Sequence, residues 1–220
     1  EFISIAAHEL KTPIQAILGM SGLLKYYPER TDQVVEVISR NAVRLQRLSA
    51  NILDATRIES QTLKLEKERF NLRDLIPTII EDYKEKIKDS TNDRVELIYS
   101  DNLKNNNPIV VAADRERIIQ VISNLLSNSI QFTSEGYISL NIVVDNNSKE
   151  VIVTVRDTGT GINPEILPRL FSKFVTRSQK GTGLGLFISK SIIEAHGGRI
   201  WAENNVLDGQ GKIFCFTLPL

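Results

Sequence analysis

A histidine followed by a glutamate stands near the start of the chain, in the stretch His8-Glu9-Leu10-Lys11-Thr12-Pro13. A neutral imidazole nitrogen is a good nucleophile at pH 7, and free histidine, which titrates near pH 6.5, is mostly neutral there. Glu9 could accept or orient the ring proton. Thr12 follows His8 by four residues, so on a helix its hydroxyl would share the histidine's face. The stretch predicts a reactive histidine, although a lone helical histidine is more often a solvated or core residue.

Two further stretches contain residues suited to nucleotide binding. Asn124 and Asn128 are four residues apart, hence on one helix face, where carboxamide oxygens could ligate Mg²⁺ and amino groups could donate to phosphate. Asp157 follows a predicted strand and could accept a hydrogen bond from the exocyclic amine of adenine, while Gly159 and Gly161 let the backbone approach the base. The same carboxylate would repel the carbonyl oxygen of guanine, so it favours adenine.

A third stretch, Gly181-Thr182-Gly183-Leu184-Gly185-Leu186, opens a predicted helix. Unpaired backbone N–H groups and the positive end of a helix favour phosphate there. The spacing of the glycines differs from the dinucleotide-binding fingerprint, and the Gly-Lys-Ser/Thr of a P-loop is missing. Taken one at a time, such stretches are more often a polar helix face or a plain turn than a nucleotide site.

The elements that must position these residues begin with two helices. Apolar or small residues recur at alternating steps of four and three, which is typical of a coiled-coil seam. The first run is Ile3, Ala7, Leu10, Ile14, Ile17, Ser21 and Leu24, and the second is Val34, Ile38, Asn41, Leu45, Leu48, Ile52 and Ala55. Thr31 or Asp32 could cap the second helix. A hairpin alone cannot bury both seams, so the pattern predicts a homodimer with a four-helix bundle.

A boundary near residue 62 divides the chain into domains 1–61 and 62–220, and the second domain alternates strands and helices. Helices are predicted at 72–88 after an Asn71 cap, at 115–132 after an Asp114 cap, at the short stretch opened by 163–165, and at 183–195. Strands are predicted at 63–70, 95–99, 109–112, 137–144, 151–156, 199–203 and 213–218. The predicted fold class is α+β, a helical hairpin followed by an α/β sandwich with a mixed sheet.

The composition is that of an ordinary globular protein, with 220 residues, 41% of them hydrophobic and 25% charged. Lys and Arg balance Asp and Glu at 27 each, so we expect no nucleic-acid partner and no direct membrane contact of this fragment. The single cysteine, Cys215, fits a reducing compartment and is expected to be a small buried residue. We expect a cytoplasmic fragment that begins inside a helix, and the sequence leaves open whether its parent is anchored in a membrane.

Taken in order, the motifs resemble those of sensor histidine kinases over essentially the whole chain. His8 to Pro13 resembles their H box, Asn124 to Asn128 the N box, Asp157 to Gly161 the G1 box, Phe171-Ser172-Lys173-Phe174 the F box, and Gly181 to Leu186 the G2 box. The resemblance implies a dimerisation and phosphotransfer hairpin followed by an ATP-binding domain of the Bergerat fold. It also implies autophosphorylation of His8, transfer to an aspartate of a response regulator receiver domain, and regulator phosphatase activity.

The resemblance also implies individual roles. His8 would be the phosphoacceptor, Glu9 the general base, and Thr12 the residue of the phosphatase reaction. ATP and Mg²⁺ would be the cofactors, with Asn128 as the Mg²⁺ ligand beside Asn124. Asp157 would be the adenine acceptor. The remaining nucleotide-binding residues would be Gly159, Gly161, Lys173, Gly181, Thr182, Gly183, Leu184 and Gly185.

One departure from the family pattern concerns the charge near the triphosphate. The family commonly carries Lys or Arg three residues after the second asparagine, where this chain has Gln131; Lys173, Arg177 or Lys180 could supply that charge. Two other readings are a non-kinase ATPase of the gyrase or mismatch-repair type, which has no need of His8, and a dimeric scaffold of low activity. Whether phosphorylation occurs within or between subunits stays open.

Overall fold

The computed structural model of the chain describes residues 2–24, 26–27, 30–89, 94–101, 107–176, 182–205 and 211–220. The chain divides into two compact units. The first consists of Glu1–Leu63 and Lys173–Gly185, and the second of Lys64–Ser172 and Leu186–Leu220.

Two long helices form the core of the first unit, as the sequence predicts. Helix α1 spans Phe2–Leu23, with Pro13 inside it, and α2 spans Thr31–Glu59. The predicted cap of α2 is wrong, because Arg30 occupies the N-cap position and makes no side-chain cap hydrogen bond. Helix α2 ends at Glu59, a few residues beyond the predicted seam.

The seam of α2 is confirmed, since Val34, Leu48 and Ala55 are buried. The seam predicted for α1 is partly wrong: Ala6 is buried, whereas its neighbour Ala7 is exposed and Ile14 is 41% exposed. A stripe of apolar residues on a helix is wider than a single partner helix can cover. The exposed large apolar side chains of the hairpin are Ile14, Leu18, Leu23, Tyr26, Tyr27, Val35, Val43 and Leu53.

The second unit is built on a five-stranded sheet in the order β2-β4-β5-β7-β6, and a two-stranded sheet pairs β1 with β3. The strands are β1 Glu68–Asn71, β2 Val95–Asp101, β3 Val110–Ala113, β4 Gly136–Asp145, β5 Glu150–Asp157, β6 Ile200–Asn204 and β7 Lys212–Pro219. The helices are α3 Leu72–Asp89, α4 Arg115–Phe132 and α5 Gly185–Ala195. Strands β2 and β4 are parallel and the other pairs antiparallel, which confirms the mixed sheet.

Three local predictions differ from the structure. The strand expected from residue 63 begins only at Glu68, and the short helix expected after Asn163 is a 3-10 turn at Leu167–Arg169. Helix α5 begins at Gly185 instead of Gly183, because Gly183 has a φ of +66°, which lies outside the right-handed helical region.

The core of the second unit lies between one face of the large sheet and the helices. Large apolar residues of three adjacent strands are buried; in β4 and β5 they alternate, as the period of two for side chains in a strand requires, whereas β7 is buried almost throughout. They are Ile138, Leu140 and Ile142, then Val151, Val153 and Val155, then Phe214, Phe216 and Leu218. Leu125 and Leu126 of α4 are also buried, which leaves Asn124 and Asn128 on the half-buried side of this helix. Cys215 is a buried free thiol, as expected.

Within the described ranges, no helix combines the length and the apolar character needed to cross a bilayer.

Candidate active site

His8 lies on the exposed face of α1, where 79% of its side chain is accessible. Its Nδ1 atom is 3.8 Å from Oε1 of Glu9. The other oxygen of that carboxylate, Oε2, is 3.6 Å from Nη2 of Arg44 on α2. Glu9 and Arg44 are about three-quarters buried, so Arg44 restricts the position of the carboxylate beside the ring. Nδ1 is thus the ring nitrogen that lies beside the carboxylate, and Nε2 is the nitrogen that would remain for attack on a partner group.

Thr12 shares the exposed face of α1 with His8, as the spacing predicts. Its hydroxyl donates to the backbone carbonyl oxygen of His8 at 3.5 Å, the long limit of a hydrogen bond. Such a bond to the residue four positions earlier is common for threonine in helices. Because it is weak here, the hydroxyl can turn toward another acceptor.

Asn124 and Asn128 lie on α4, which begins at the predicted Asp114 cap with a 3.1 Å bond from the backbone N–H of Arg117. The amide of Asn124 donates to the hydroxyl oxygen of Ser189 on α5 at 2.9 Å. The amide of Asn128 donates to the backbone oxygen of Asn124 at 3.0 Å. Since both amino groups are engaged in this way, the carboxamide oxygen of Asn128 is the atom suited to a hard cation.

No group of three or more His, Cys, Asp or Glu side chains that could hold a metal occurs among the described residues. A Mg²⁺ ion in the pocket would therefore depend on few protein oxygens. This is the ordinary situation for Mg²⁺, which keeps several waters and takes the rest of its ligands from substrate phosphates. The donor set around Asn128 is compatible with that mode of binding.

Asp157 ends β5 and is fully buried. Its Oδ1 atom accepts a 3.0 Å hydrogen bond from the backbone N–H of Gly159. A Cβ atom at Gly159 would lie 2.2 Å from the backbone oxygen of Phe132, so the turn tolerates only glycine at this position. The second oxygen, Oδ2, lies 3.0 Å from Nζ of Lys212.

Lys212 is a neighbour of Asp157 that the sequence interpretation missed. It is the first residue of β7 and pairs in register with Asp157. Its side chain is 4% exposed, and burial lowers the pKa of the ammonium group while the charge of Asp157 opposes that change. The signal in the sequence was a charged residue at the start of the apolar run Ile213 to Leu218, but nothing local identifies its partner.

The second glycine of this turn, Gly161, has a φ of +71° and is held against β6. A Cβ atom there would lie 3.1 Å from Oδ1 of Asn204. Asn204 also accepts from the backbone N–H of Ile162 at 2.6 Å and donates to its carbonyl oxygen at 2.8 Å. These bonds fix the backbone that follows Asp157.

Lys173 lies in the first unit, where its ammonium group forms a short ion pair with the carboxylate of Glu59 on α2. The next residue, Phe174, donates its backbone N–H to the carbonyl oxygen of Gly183 at 2.9 Å. A Cβ atom at Gly183 would lie 2.5 Å from the carbonyl carbon of Phe174. The close approach of these two backbone segments therefore requires glycine.

The glycine-rich segment is also bonded to α2. Thr182 accepts from the amide of Asn51 at 3.5 Å and from the backbone N–H of Leu184 at 3.3 Å. Leu184 is fully buried, and Gly185 starts α5. Gly181, Arg177 and Lys180 lie outside the described residues.

The predicted site residues therefore fall into two groups. Those of the first unit are His8, Glu9, Thr12, Lys173, Thr182, Gly183, Leu184 and Gly185. Those of the second unit are Asn124, Asn128, Asp157, Gly159 and Gly161. The first group contains the candidate nucleophile. The second contains the candidate contacts to the adenine ring and to the cation.

Comparison with known families assigns both parts of the chain. Residues 1–61 match the His Kinase A (phospho-acceptor) domain, and residues 113–220 match the histidine kinase-, DNA gyrase B- and HSP90-like ATPase family. A phosphoacceptor hairpin joined to such an ATPase domain defines the class of two-component histidine kinase catalytic cores.

Individual relatives agree with this class. The sensor protein GacS of Pseudomonas syringae pv. syringae is 33% identical over 232 aligned positions, which cover 100% of this chain and 25% of that protein. The catalytic domain of the histidine kinase ThkA is 36% identical with a TM-score of 0.61, covering 70% of this chain and 95% of that one. ThkA in complex with the response regulator TrrA is 31% identical with a TM-score of 0.73, covering 97% and 59%.

The chain belongs to the sensor histidine kinase family. It spans about a quarter of the length of the curated relatives that it matches.

Proposed function

We propose that this chain catalyses ATP-dependent phosphorylation of His8 and passes the phosphoryl group to an aspartate of a response regulator receiver domain. The observation that carries the proposal is the exposed imidazole of His8, whose Nδ1 lies 3.8 Å from a carboxylate that Arg44 restrains. A structural histidine would need neither the exposure nor the paired carboxylate.

The chemistry follows from which nitrogen faces Glu9. The lone pair of Nε2 attacks the γ-phosphorus of ATP, the bond between this phosphorus and the bridging oxygen breaks, and ADP leaves. Glu9 takes the proton from Nδ1, so that no positive charge remains on the phosphorylated ring. The 3.8 Å separation must shorten to hydrogen-bonding distance in the complex that reacts. In the second step a receiver carboxylate attacks the phosphorus, the bond between the phosphorus and Nε2 breaks, and Nδ1 of the leaving imidazole recovers its proton.

The nucleotide is assigned to the second unit. Asp157 would accept the exocyclic amine of the base, and the glycine turn after it, Gly159 to Gly161, would lie against the ring. The oxygen of Asn128 would ligate Mg²⁺, with Asn124 beside it. The ion would neutralise charge on the phosphates and hold them in line for transfer. Because Asp157 and Asn128 are held by hydrogen bonds to Gly159 and Asn124, little reorganisation is needed on binding.

The domain boundary is placed after residue 61, which gives a phosphoacceptor domain 1–61 and an ATP-binding domain 62–220. The family match over residues 1–61 supports this boundary. The segment from Lys173 to Gly185 would act on the phosphate side of the nucleotide, through Lys173 and the backbone of Thr182 to Gly185. Lys173 would have to exchange the carboxylate of Glu59 for a phosphate.

Two partners are proposed. The exposed apolar side chains along the hairpin, such as Leu18 at 65% and Val43 at 65%, support pairing with a second copy as a four-helix bundle. The similarity to ThkA, which was solved with a response regulator, supports a receiver domain as the phosphoryl acceptor. Thr12 would assist the phosphatase reaction, in which a water that its hydroxyl orients hydrolyses the phosphoaspartate of that regulator.

The proposal is tested by replacing His8 with alanine and following transfer of label from γ-labelled ATP. We expect the label to be lost, while nucleotide affinity stays within about twofold because His8 and Asp157 belong to different units. Gln15→Ala, at another exposed position of α1, is the matched control and should keep the label. Phosphohistidine is labile to acid and stable to base, so an acid-stable label, or label that persists in His8→Ala, would refute the proposal.

A further inference from the structure

The proposed base site of the second unit contains a buried ion pair, of which the proposed function uses Asp157 but not Lys212. Asp157 and Lys212 face each other across β5 and β7, and their side chains are 0% and 4% exposed. Nζ of Lys212 lies 3.0 Å from Oδ2 of Asp157. A buried pair of this kind is costly to desolvate and adds little stability by itself, so its presence calls for a further role.

The pair is incompletely satisfied. Apart from their ion pair, Nζ of Lys212 and Oδ2 of Asp157 have no hydrogen-bond partner among the residues that the structure describes. The ammonium lies 4.9 Å from the ring centre of Phe132 and 6.0 Å from that of Phe214, which supply no lone pairs. Lysine has three donors and a carboxylate oxygen has two acceptor positions. The buried pair thus holds an unused donor beside an unused acceptor, which a base bound at Asp157 would have to reach.

This combination matches two kinds of purine edge. Adenine presents a donor at its 6-amino group and an acceptor at N1. A 6-oxopurine such as hypoxanthine presents an acceptor at O6 and a donor at N1. A carboxylate alone can accept a hydrogen bond from the donor of either edge, but it has no donor for the acceptor of that edge and repels O6. With an ammonium group 3.0 Å away, the acceptor of either edge also finds a partner.

We propose that Lys212 is a specificity-determining residue of the base pocket and that it allows the site to bind 6-oxopurine nucleoside triphosphates as well as ATP. The proposal rests on the proposed function, because it requires the base to bind beside Asp157. It replaces the expectation from the sequence that Asp157 excludes a 6-carbonyl group, since the charge of Lys212 offsets the repulsion.

The first test uses the unmodified chain and compares the dissociation constants of ATP and inosine triphosphate by calorimetry, with Mg²⁺ present. Inosine triphosphate differs from ATP only at the 6-position and in the proton on N1. We expect the dissociation constant of inosine triphosphate to exceed that of ATP by less than about tenfold. A site that leaves a charged group unpaired with one of the two nucleotides would discriminate between them by more than that. A larger ratio would overturn the role of Lys212. If neither nucleotide binds, the proposed function itself fails. If ATP binds and inosine triphosphate does not, the proposed function stands and only the role of Lys212 fails.

The second test replaces Lys212 with methionine, which keeps most of the stem and removes the donor. We expect the ratio of the two dissociation constants to rise at least tenfold. Lys190→Met, at an exposed lysine of α5, should leave it unchanged. An unchanged ratio in folded Lys212→Met would overturn the inference. Circular dichroism checks that Lys212→Met folds. If the unpaired carboxylate of Asp157 prevents folding, the ratio of dissociation constants in the unmodified chain decides.

Discussion

Replacement of Glu9 by glutamine removes the proposed proton acceptor while keeping the size of the side chain. Oε1 of Glu9 lies 3.8 Å from Nδ1 of His8, and Oε2 lies 3.6 Å from Arg44. A carboxamide keeps one acceptor oxygen instead of two, so it can serve His8 or Arg44 but not both, and it cannot take the ring proton. General base catalysis typically contributes a factor of about 10² to 10⁴. We therefore expect the rate of phosphohistidine formation to fall by about 10² to 10⁴, which corresponds to roughly 3–5 kcal/mol in the barrier.

Single-turnover labelling at saturating ATP and Mg²⁺ measures this rate directly. Affinity for ATP should be unchanged, because Glu9 lies in the first unit and Asp157 in the second. Glu36→Gln, at an exposed position of α2, is the matched control and should react at the parental rate. Arg44→Met should slow the reaction by only a few-fold, since a partly exposed ion pair contributes about 0–1 kcal/mol.

Two results would refute this reasoning. If Glu9→Gln reacts within about threefold of the parent, its carboxylate does not accept the ring proton, and water or the nucleotide must do so. If Glu36→Gln slows the reaction as much as Glu9→Gln does, the effect is one of overall charge on the hairpin. Loss of helical signal in circular dichroism would identify a folding defect instead.

Three further substitutions test the other assignments. Asp157→Asn should weaken ATP binding by about 1.5–3 kcal/mol, or roughly 10- to 150-fold, since it removes a charge-assisted hydrogen bond; equal affinity by calorimetry would reject the adenine contact. Thr12→Ala should keep autophosphorylation within a few-fold while slowing decay of a phosphorylated regulator about tenfold or more, and equal decay would leave Thr12 only its bond to the helix. Gln131→Lys should tighten ATP binding less than about tenfold and only at low salt, because an exposed charge adds about 0–1 kcal/mol; no change would mean that another cation fills that place.

The elements with local signals were predictable from the sequence. Asp114 caps α4 as expected, and Asn71 accepts the backbone N–H of Arg73 at 3.2 Å at the start of α3. Helix α5 ends at Ala195, as the predicted range 183–195 has it, and Gly197 beyond it has a φ of +80°, which stops the helix. Each of these signals lies within a few residues of the boundary that it sets, so no tertiary contact is needed to interpret it.

The contacts that shape the candidate site were not predictable in the same way. The pairing of Asp157 with Lys212 depends on the register of β5 and β7, which distant residues set together. The ion pair of Lys173 with Glu59 likewise joins residues far apart in the sequence. For α1, periodicity indicated an apolar stripe but not which part of it packs inside the hairpin, so Ala7 was expected to be buried where Ala6 is.

The second histidine shows how the fold holds the nucleotide residues in place. His196 is buried just after the end of α5, and its Nδ1 lies 2.8 Å from the carbonyl oxygen of Ile192. Its Nε2 accepts the backbone N–H of Asp114 at 2.9 Å, which requires the neutral ring, and burial lowers the pKa of His196 in agreement. The end of α5 is thus bonded to the start of α4, and Asn124 bonds the same two helices through Ser189. Two separate polar contacts fix α4 against α5, so the carboxamides of α4 are positioned before any nucleotide binds.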